Sequence, residues 1–184
     1  MSHRVVFVAG ATGYLGRRVV PELLARGHAV QALSRPGSER RVPAGAEVVP
    51  GDALKAATFA DRVAPADTFL QLVGVAHPGP SKAAQFRTVD LASAKASADA
   101  ARAAGVAHFV YVSVAHPAPA MRAYWQARAE AEAYIRAQGL NATILRPWYV
   151  VGPGHWWPLA LAPLYTVLEG ARHARVRAPA RSRH

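Results

Sequence analysis

"VFVAGATGYLGRRVV", residues 6–20, sets three glycines at positions 10, 13 and 16 between two apolar runs of different period. The run before them, "VVFVA" (5–9), is continuous, apolar and β-branched, which suits a strand buried on both faces. After Gly16 the apolar residues Val19, Val20, Leu23 and Leu24 recur at helical spacing, and "RGH" (26–28) closes the helix on a glycine. The glycines therefore sit at a strand-to-helix turn. There Gly10 lets the chain leave the strand sharply, Gly13 lets backbone approach a diphosphate with no Cβ in the way, and Gly16 lets the helix pack closely on the sheet. The free N–H groups at the helix start face the anion, so this turn reads as a dinucleotide cradle.

The same alternation continues along the chain. "AVQALS" (29–34), "AEVVP" (46–50), "DTFLQLVG" (67–74), "HFVYVS" (108–113) and "NATILRP" (141–147) read as strands. An Ala-rich helix is expected over 81–104 and a second long helix over 121–138, ending at Gly139. Apolar strands alternating with helices specify an α/β fold of Rossmann type, a doubly wound parallel sheet with helices on both faces. The expected organisation is a cofactor domain over 1–155, the start of a substrate-side segment over 156–169 and a disordered basic tail over 170–184.

Composition narrows the function classes. The chain has 184 residues, 52 % of them hydrophobic, no cysteine and a formal net charge of +11. No thiolate nucleophile, disulfide or cysteine zinc site can be built. Five of the 22 basic residues fall in 170–184, where there is no acid. The charge excess is thus partly a property of the tail, and no nucleic-acid partner is expected, a basic arm being the alternative reading. The longest apolar candidate, 156–168, is shorter than the roughly 20 residues a membrane span needs and carries two prolines. No basic segment precedes a signal-like apolar core, so a cytoplasmic location is expected.

The motifs "GATGYLG" (10–16), "GDALK" (51–55), "YWQAR" (124–128) and "LRPWYVVGPG" (145–154) resemble the short-chain dehydrogenase/reductase superfamily, in its extended or atypical branch of epimerase/dehydratase-like and NmrA-like proteins. The resemblance covers about 1–155 in the family's order and spacing. It implies a cofactor contacted by the turn residues Gly10, Thr12, Gly13, Tyr14, Leu15 and Gly16, with Asp52 and Ala53 beside the adenine. It also implies that Leu72, Val73 and Gly74 flank the adenosine ribose and that Pro147 and Tyr149 approach the nicotinamide. Asp52 taken alone reads equally as a turn or helix-cap residue.

Cofactor choice has a physical argument. An NAD site places an acid after the second strand to accept from the ribose 2′-hydroxyl. This chain has "SRPG" there, and Arg35 with Ser34 can instead hold a 2′-phosphate, so NADP is expected, with NAD the alternative. Arg17 and Arg18 add positive potential nearby or are solvated helix arginines.

Catalysis in the superfamily rests on a Tyr acid/base, a Lys four residues on and a Ser or Thr at the end of the fifth strand. Here Tyr124, Arg128 and Glu132 share one helix face, the lysine is replaced by arginine, and Ser113 precedes Val114 where the extended members carry the working hydroxyl. A guanidinium can hold the ribose but cannot relay a proton. Two readings follow: Tyr124, Arg128 and Ser113 form an altered catalytic set for an oxidoreductase or epimerase/dehydratase acting on an unknown small molecule, or the fold keeps the cofactor as a non-catalytic sensor, regulator or assembly factor. His77 and His116 follow the fourth and fifth strands at the ligand edge, but not at metal-ligand spacing, and no metal is expected.

The stretch 146–165 holds three of the four Trp and two Tyr, and reads as a substrate pocket wall, a packing lid, or a surface that docks on a membrane or a protein partner. Extended members of the superfamily run on for roughly another hundred residues. A truncated or frameshifted end, with the substrate half incomplete, is the expectation for the last 15 or so positions.

Overall fold

The computed structural model describes residues 3–115, 121–147 and 150–154. Six strands form one sheet: β1 (Val5–Ala9), β2 (Ala29–Ser34), β3 (Glu47–Pro50), β4 (Thr68–Gln71), β5 (His108–Val112) and β6 (Ala142–Leu145). All neighbouring pairs are parallel and the order is β3-β2-β1-β4-β5-β6. Strand order reverses between β1 and β4, which makes the carboxyl ends of these two strands the ligand-binding crevice of such a sheet.

Helix α1 (Gly16–Ala25) covers one face through Val20, which packs with Val6, Val8, Val30, Ala32 and Leu70. Helices α2 and α3 cover the other. Helix α2 is α-helical over Ala83–Gln85, π-helical over Phe86–Leu91 and α-helical again over Ala92–Ala103, and α3 spans Arg122–Ala137. The doubly wound expectation therefore holds, and α3 stops where Gly139 takes φ 70°.

Register decides what the second face contains. Phe7 pairs with Phe69 and Phe69 with Phe109, so three phenylalanines from adjacent strands fall in one row. Their ring centroids are 5.0 and 5.4 Å apart, and Phe59 adds a fourth ring 6.0 Å from Phe7. All four are fully buried, each worth about 1.5–3 kcal/mol of burial. Leu91, Ala94, Ala98 and Ala101 of α2 and Ala131 and Ile135 of α3 close over them. The small alanines let both helices lie near the sheet while the phenylalanines fill the space.

Several boundaries differ from the sequence expectation. β4 ends at Gln71 rather than 74: the Leu72 N–H still donates to the Ala9 carbonyl (2.9 Å), but the Val73 N–H donates to the Gln71 side chain (3.1 Å) in place of a neighbouring strand. β6 ends at Leu145 rather than 147, where Arg146 turns to bind Glu132. The π segment of α2 was not foreseen, since a π turn has no periodic signature over six residues.

Gly16 is the tightest point of the fold. A Cβ there would overlap the Gly10 carbonyl oxygen and the Ala11 backbone, whereas one at Gly79 would meet nothing within 4 Å. Gly16→Ala should cost about 2 kcal/mol or more and Gly79→Ala under about 0.5 kcal/mol, read as urea midpoints. Equal midpoints would mean that the turn relaxes freely.

Candidate functional site

At the switch point the turn after β1 is built from backbone alone. Gly10 takes φ 93°, and a Cβ on it would stand 2.9 Å from the Leu72 carbonyl carbon and the Val73 nitrogen. The Gly13 N–H donates to the Gly10 carbonyl (3.0 Å), and Arg17 N–H to the Gly13 carbonyl (3.0 Å). Gly13 is exposed while Thr12, Tyr14 and Leu15 are half-buried, so the α1 N-terminus presents bare backbone to solvent. This is the geometry that accepts a diphosphate, and the residues present fit a dinucleotide.

The rim continues along the carboxyl edge. Arg35 is exposed beyond β2, and the buried Ser34 hydroxyl donates to the Arg35 carbonyl (3.3 Å). Asp52 makes an Asx turn, its carboxylate accepting from the Leu54 N–H (3.0 Å), and Ala53 packs on the core. Of the two readings of Asp52, the turn former is the one its contacts display. Arg18 lies 3.7 Å over the Tyr14 ring and donates to the Tyr14 carbonyl (2.9 Å), which ties it into the turn, while Arg17 is exposed.

Beyond β4, Leu72 and Val73 are half-buried and Gly74 is exposed. His77 has φ 49°, the left-handed region that a non-glycine residue seldom takes. Tyr149 and His116 lie outside the described residues, as do 155–184, which hold most of the aromatic stretch and the basic tail. Pro147 begins the second of two compact units, Pro147–His184.

The helix face singled out in the sequence carries two buried charges. Arg128, 6 % exposed, donates through Nη2 to Asp90 Oδ1 (2.5 Å) and through Nη1 to the Val112 carbonyl (2.8 Å) and the Tyr111 hydroxyl (3.3 Å). Its guanidinium carbon lies 5.3 Å from the Tyr124 ring centroid, and Tyr124 packs against Phe86 at 4.9 Å. Burial works against the Arg128 charge, but Tyr111, Tyr124 and Asp90 outweigh it and push its pKa above the ordinary value. Burial also raises Asp90, against the lowering pull of Arg128 and of the Val75 N–H. Arg128 is thus turned to the interior and permanently charged. A Cβ on Gly74 would overlap its guanidinium.

Four residues further along, Glu132 is 1 % exposed and accepts from Arg136 (3.0 Å) and from both Nε (2.9 Å) and Nη2 of Arg146. Burial raises its pKa, but the hydrogen bonds from Arg146 and Arg136 prevail and bring it down to about 2. Ser113 is buried at the end of β5, where its N–H donates to the Leu145 carbonyl (2.7 Å) and its hydroxyl has no hydrogen-bond partner among the described residues. Ser113 ends β5 beside the Val112 carbonyl that Arg128 binds, and Tyr124, Arg128 and Glu132 share the helix α3 at the spacing read from the sequence.

Sequence reasoning missed Asp90 and Arg146. The signal for Asp90 was present, because it is the single acid between Lys82 and Asp99 in an Ala-rich helix. Arg146 carried no such mark, since an arginine at a strand end is ordinarily solvated.

Because the Glu132 pKa falls from 4.5 to about 2, its contribution to stability is complete above pH 4.5 and is lost as pH falls towards 2. With both arginine partners partly exposed, we expect a loss of about 2–3 kcal/mol across that window. Urea unfolding of Glu132→Gln should show a shallower acid slope than the parent; identical slopes would remove Glu132 from this role.

Comparison with known proteins agrees with this geometry. Residues 10–152 match the family model described as NAD(P)H-binding. The ceramide reductase of Caulobacter vibrioides (strain NA1000 / CB15N) is 34 % identical over 163 residues, covering 87 % of this chain and 50 % of that protein. The 3-diazoavenalumate denitrifying reductase of a Streptomyces species is 33 % identical over 178 residues, covering 81 % and 57 %. The chain spans about half the length of these curated relatives. Among solved structures, the Bordetella bronchiseptica enzyme WbmH in complex with NAD+ superposes with a TM-score of 0.69 at 21 % identity, covering 83 % of this chain and 58 % of that one. A Bacillus halodurans NAD-dependent epimerase/dehydratase, itself assigned by inference, superposes with a TM-score of 0.66 at 25 % identity, covering 78 % and 70 %. With the sheet in Rossmann order and the family model matched from Gly10 through Gly152, the chain belongs to the NAD(P)H-binding family.

Proposed function

We propose that this protein is an NADP(H)-preferring oxidoreductase that acts on a small molecule with a reducible carbonyl or conjugated double bond. The observation that carries the NADP preference is Arg35, exposed at the carboxyl end of β2 where an NAD site has an acid. Its planar fork suits a 2′-phosphate and cannot accept from a 2′-hydroxyl. Relatives named as reductases support the redox chemistry.

In this reading Gly10, Gly13 and Gly16 seat the diphosphate at the α1 N-terminus, with Thr12, Tyr14 and Leu15 around it. Leu72, Val73 and Gly74 line the central crevice, and Asp52 and Ala53 border the adenine end. The bound nicotinamide supplies or accepts the hydride. Tyr124 holds the proton at its hydroxyl, Ser113 orients the substrate oxygen, and Arg128 provides fixed positive charge below the Tyr124 ring. Arg128 cannot itself move a proton. Among the described residues no helix is long and apolar enough to cross a membrane, which is compatible with the cytoplasmic location we propose. No nucleic-acid role is assigned.

One observation favours a second reading. Arg128 turns both terminal nitrogens to Asp90, Tyr111 and Val112, as a structural residue does, which suits a non-catalytic NADP(H)-binding sensor or assembly factor.

Thermal unfolding separates the cofactor reading from its rivals. NADPH at 100 times its dissociation constant should stabilise the chain by about 2.7 kcal/mol, with a smaller effect from NADH at the same concentration. Arg35→Ala should abolish the difference; a larger shift with NADH would overturn the NADP preference. Given a substrate, Tyr124→Phe should lower turnover by about a hundredfold or more. An unchanged rate would leave the non-catalytic reading in place.

A further inference from the structure

The Leu72 N–H still donates to the Ala9 carbonyl of β1 (2.9 Å), but beyond it the segment after β4 is held through side chains. Its Val75 N–H donates to Asp90 Oδ2 (3.0 Å), and its Val73 N–H to Gln71 Oε1 (3.1 Å). Gln71 Nε2 in turn donates to the Ser93 hydroxyl (3.0 Å), which donates to the Asp90 carbonyl (3.1 Å). Both routes end on Asp90, one at its carboxylate and one at its backbone. Asp90, Gln71 and Ser93 are each at most 1 % exposed, so these bonds are not shared with solvent.

Asp90 lies in the six-residue π segment of α2, Phe86–Leu91. A π turn widens the helix, and such turns recur where a side chain must be set at a particular place. Here the same carboxylate also takes Arg128 at 2.5 Å, and Arg128 reaches the end of β5 through the Val112 carbonyl. One buried acid therefore links the exit of β4, the exit of β5 and the helix that carries Tyr124. The Leu72–Val73 backbone it steadies is the same backbone that stands against Gly10 in the cradle.

We infer that Asp90 is a positioning residue for the dinucleotide: with Gln71, Ser93 and Arg128 it holds the Leu72–Val75 segment at the height that leaves the crevice open beside Gly10. The inference goes beyond the roles given above to Tyr124, Ser113 and Arg128, and it rests on the cofactor reading. Loss of the carboxylate charge lets the segment drift, and cofactor affinity falls even where the fold survives.

The test is NADPH binding by nicotinamide fluorescence on the full chain, with urea unfolding run in parallel. Asp90→Asn should raise the dissociation constant by about tenfold or more at a temperature where the variant is folded. Ile135→Val, a core change beneath α3, should lower stability with the dissociation constant within about twofold of the parent. Arg128→Lys, which keeps the charge, should lie between Asp90→Asn and the parent. Folded Asp90→Asn that binds as the parent does overturns the inference, as does an Ile135→Val variant that loses as much affinity. If Asp90→Asn does not fold, hydrogen exchange at the Val75 amide of the parent decides: NADPH should slow it by about tenfold, and no change overturns the inference. A parent that binds NADH but not NADPH fails the preference for NADP alone, and the same series is then read with NADH; a parent that binds neither overturns both.

Discussion

Everything at the carboxyl end of this sheet depends on how closely backbone can approach backbone where β1 meets α1. The Gly10 carbonyl faces Gly16 with no room for a Cβ, and the Gly10 Cα faces Leu72 and Val73 at the limit of contact. Those two approaches fix the pitch of α1 against β1 and the gap between β1 and β4. The row of phenylalanines on the opposite face then fills a space whose width is already set. Residue types follow from that order: alanines where helices must come near, phenylalanines where strands leave depth, glycine where nothing but main chain fits.

Buried charge is the second constraint, and its magnitude decides what it is for. Removing one partner from a buried ion pair costs about 3–5 kcal/mol, yet replacing both with apolar groups is often neutral or stabilising. The Asp90–Arg128 pair is therefore poor evidence of a gain in net stability. What it adds is direction. An apolar pair at these positions could fill the volume but could not orient the Val75 N–H or the Val112 carbonyl. Glu132 works in the same way further along α3, where Arg136 of the same helix and Arg146 beyond β6 meet it. Surface pairs such as Arg26–Glu22 and Arg87–Glu130 have over a third of each side chain in water and contribute little beside these.

The parts legible in the sequence are those governed by local rules. The glycine turn, the parallel sheet implied by strand–helix alternation, and the shared face of Tyr124, Arg128 and Glu132 all follow from period and spacing. The phenylalanine register was not legible, because Phe7 is the third residue of its strand while Phe69 and Phe109 are the second of theirs. What could not be read is where a long side chain goes once it leaves its own element. Gln71 reaches across to Ser93, Asp90 faces Val75 from a π segment, and Arg146 folds over to Glu132. Each depends on a partner 14 or more residues away or on a local backbone change with no compositional mark. Arg128 is the instructive case. Its position was predicted from helical spacing, but its direction was set by an acid on another helix.

That direction gives the arginine a meaning that its charge alone does not. An ammonium at position 128 would bring three donors to a point, free to swing between the interior and the crevice. A guanidinium carries a rigid fork, and here two of its nitrogens are committed to Asp90, Tyr111 and Val112 at once. The fork also needs the space beside residue 74, which is free only because residue 74 is glycine. Lysine at 128 would relax that demand, and alanine at 74 would then be tolerated; with arginine in place it is not. Positions 74, 90 and 128 thus behave as one chemical unit, in which charge, reach and the absence of a single methyl group hold the helix bearing Tyr124 to the strands that form the crevice.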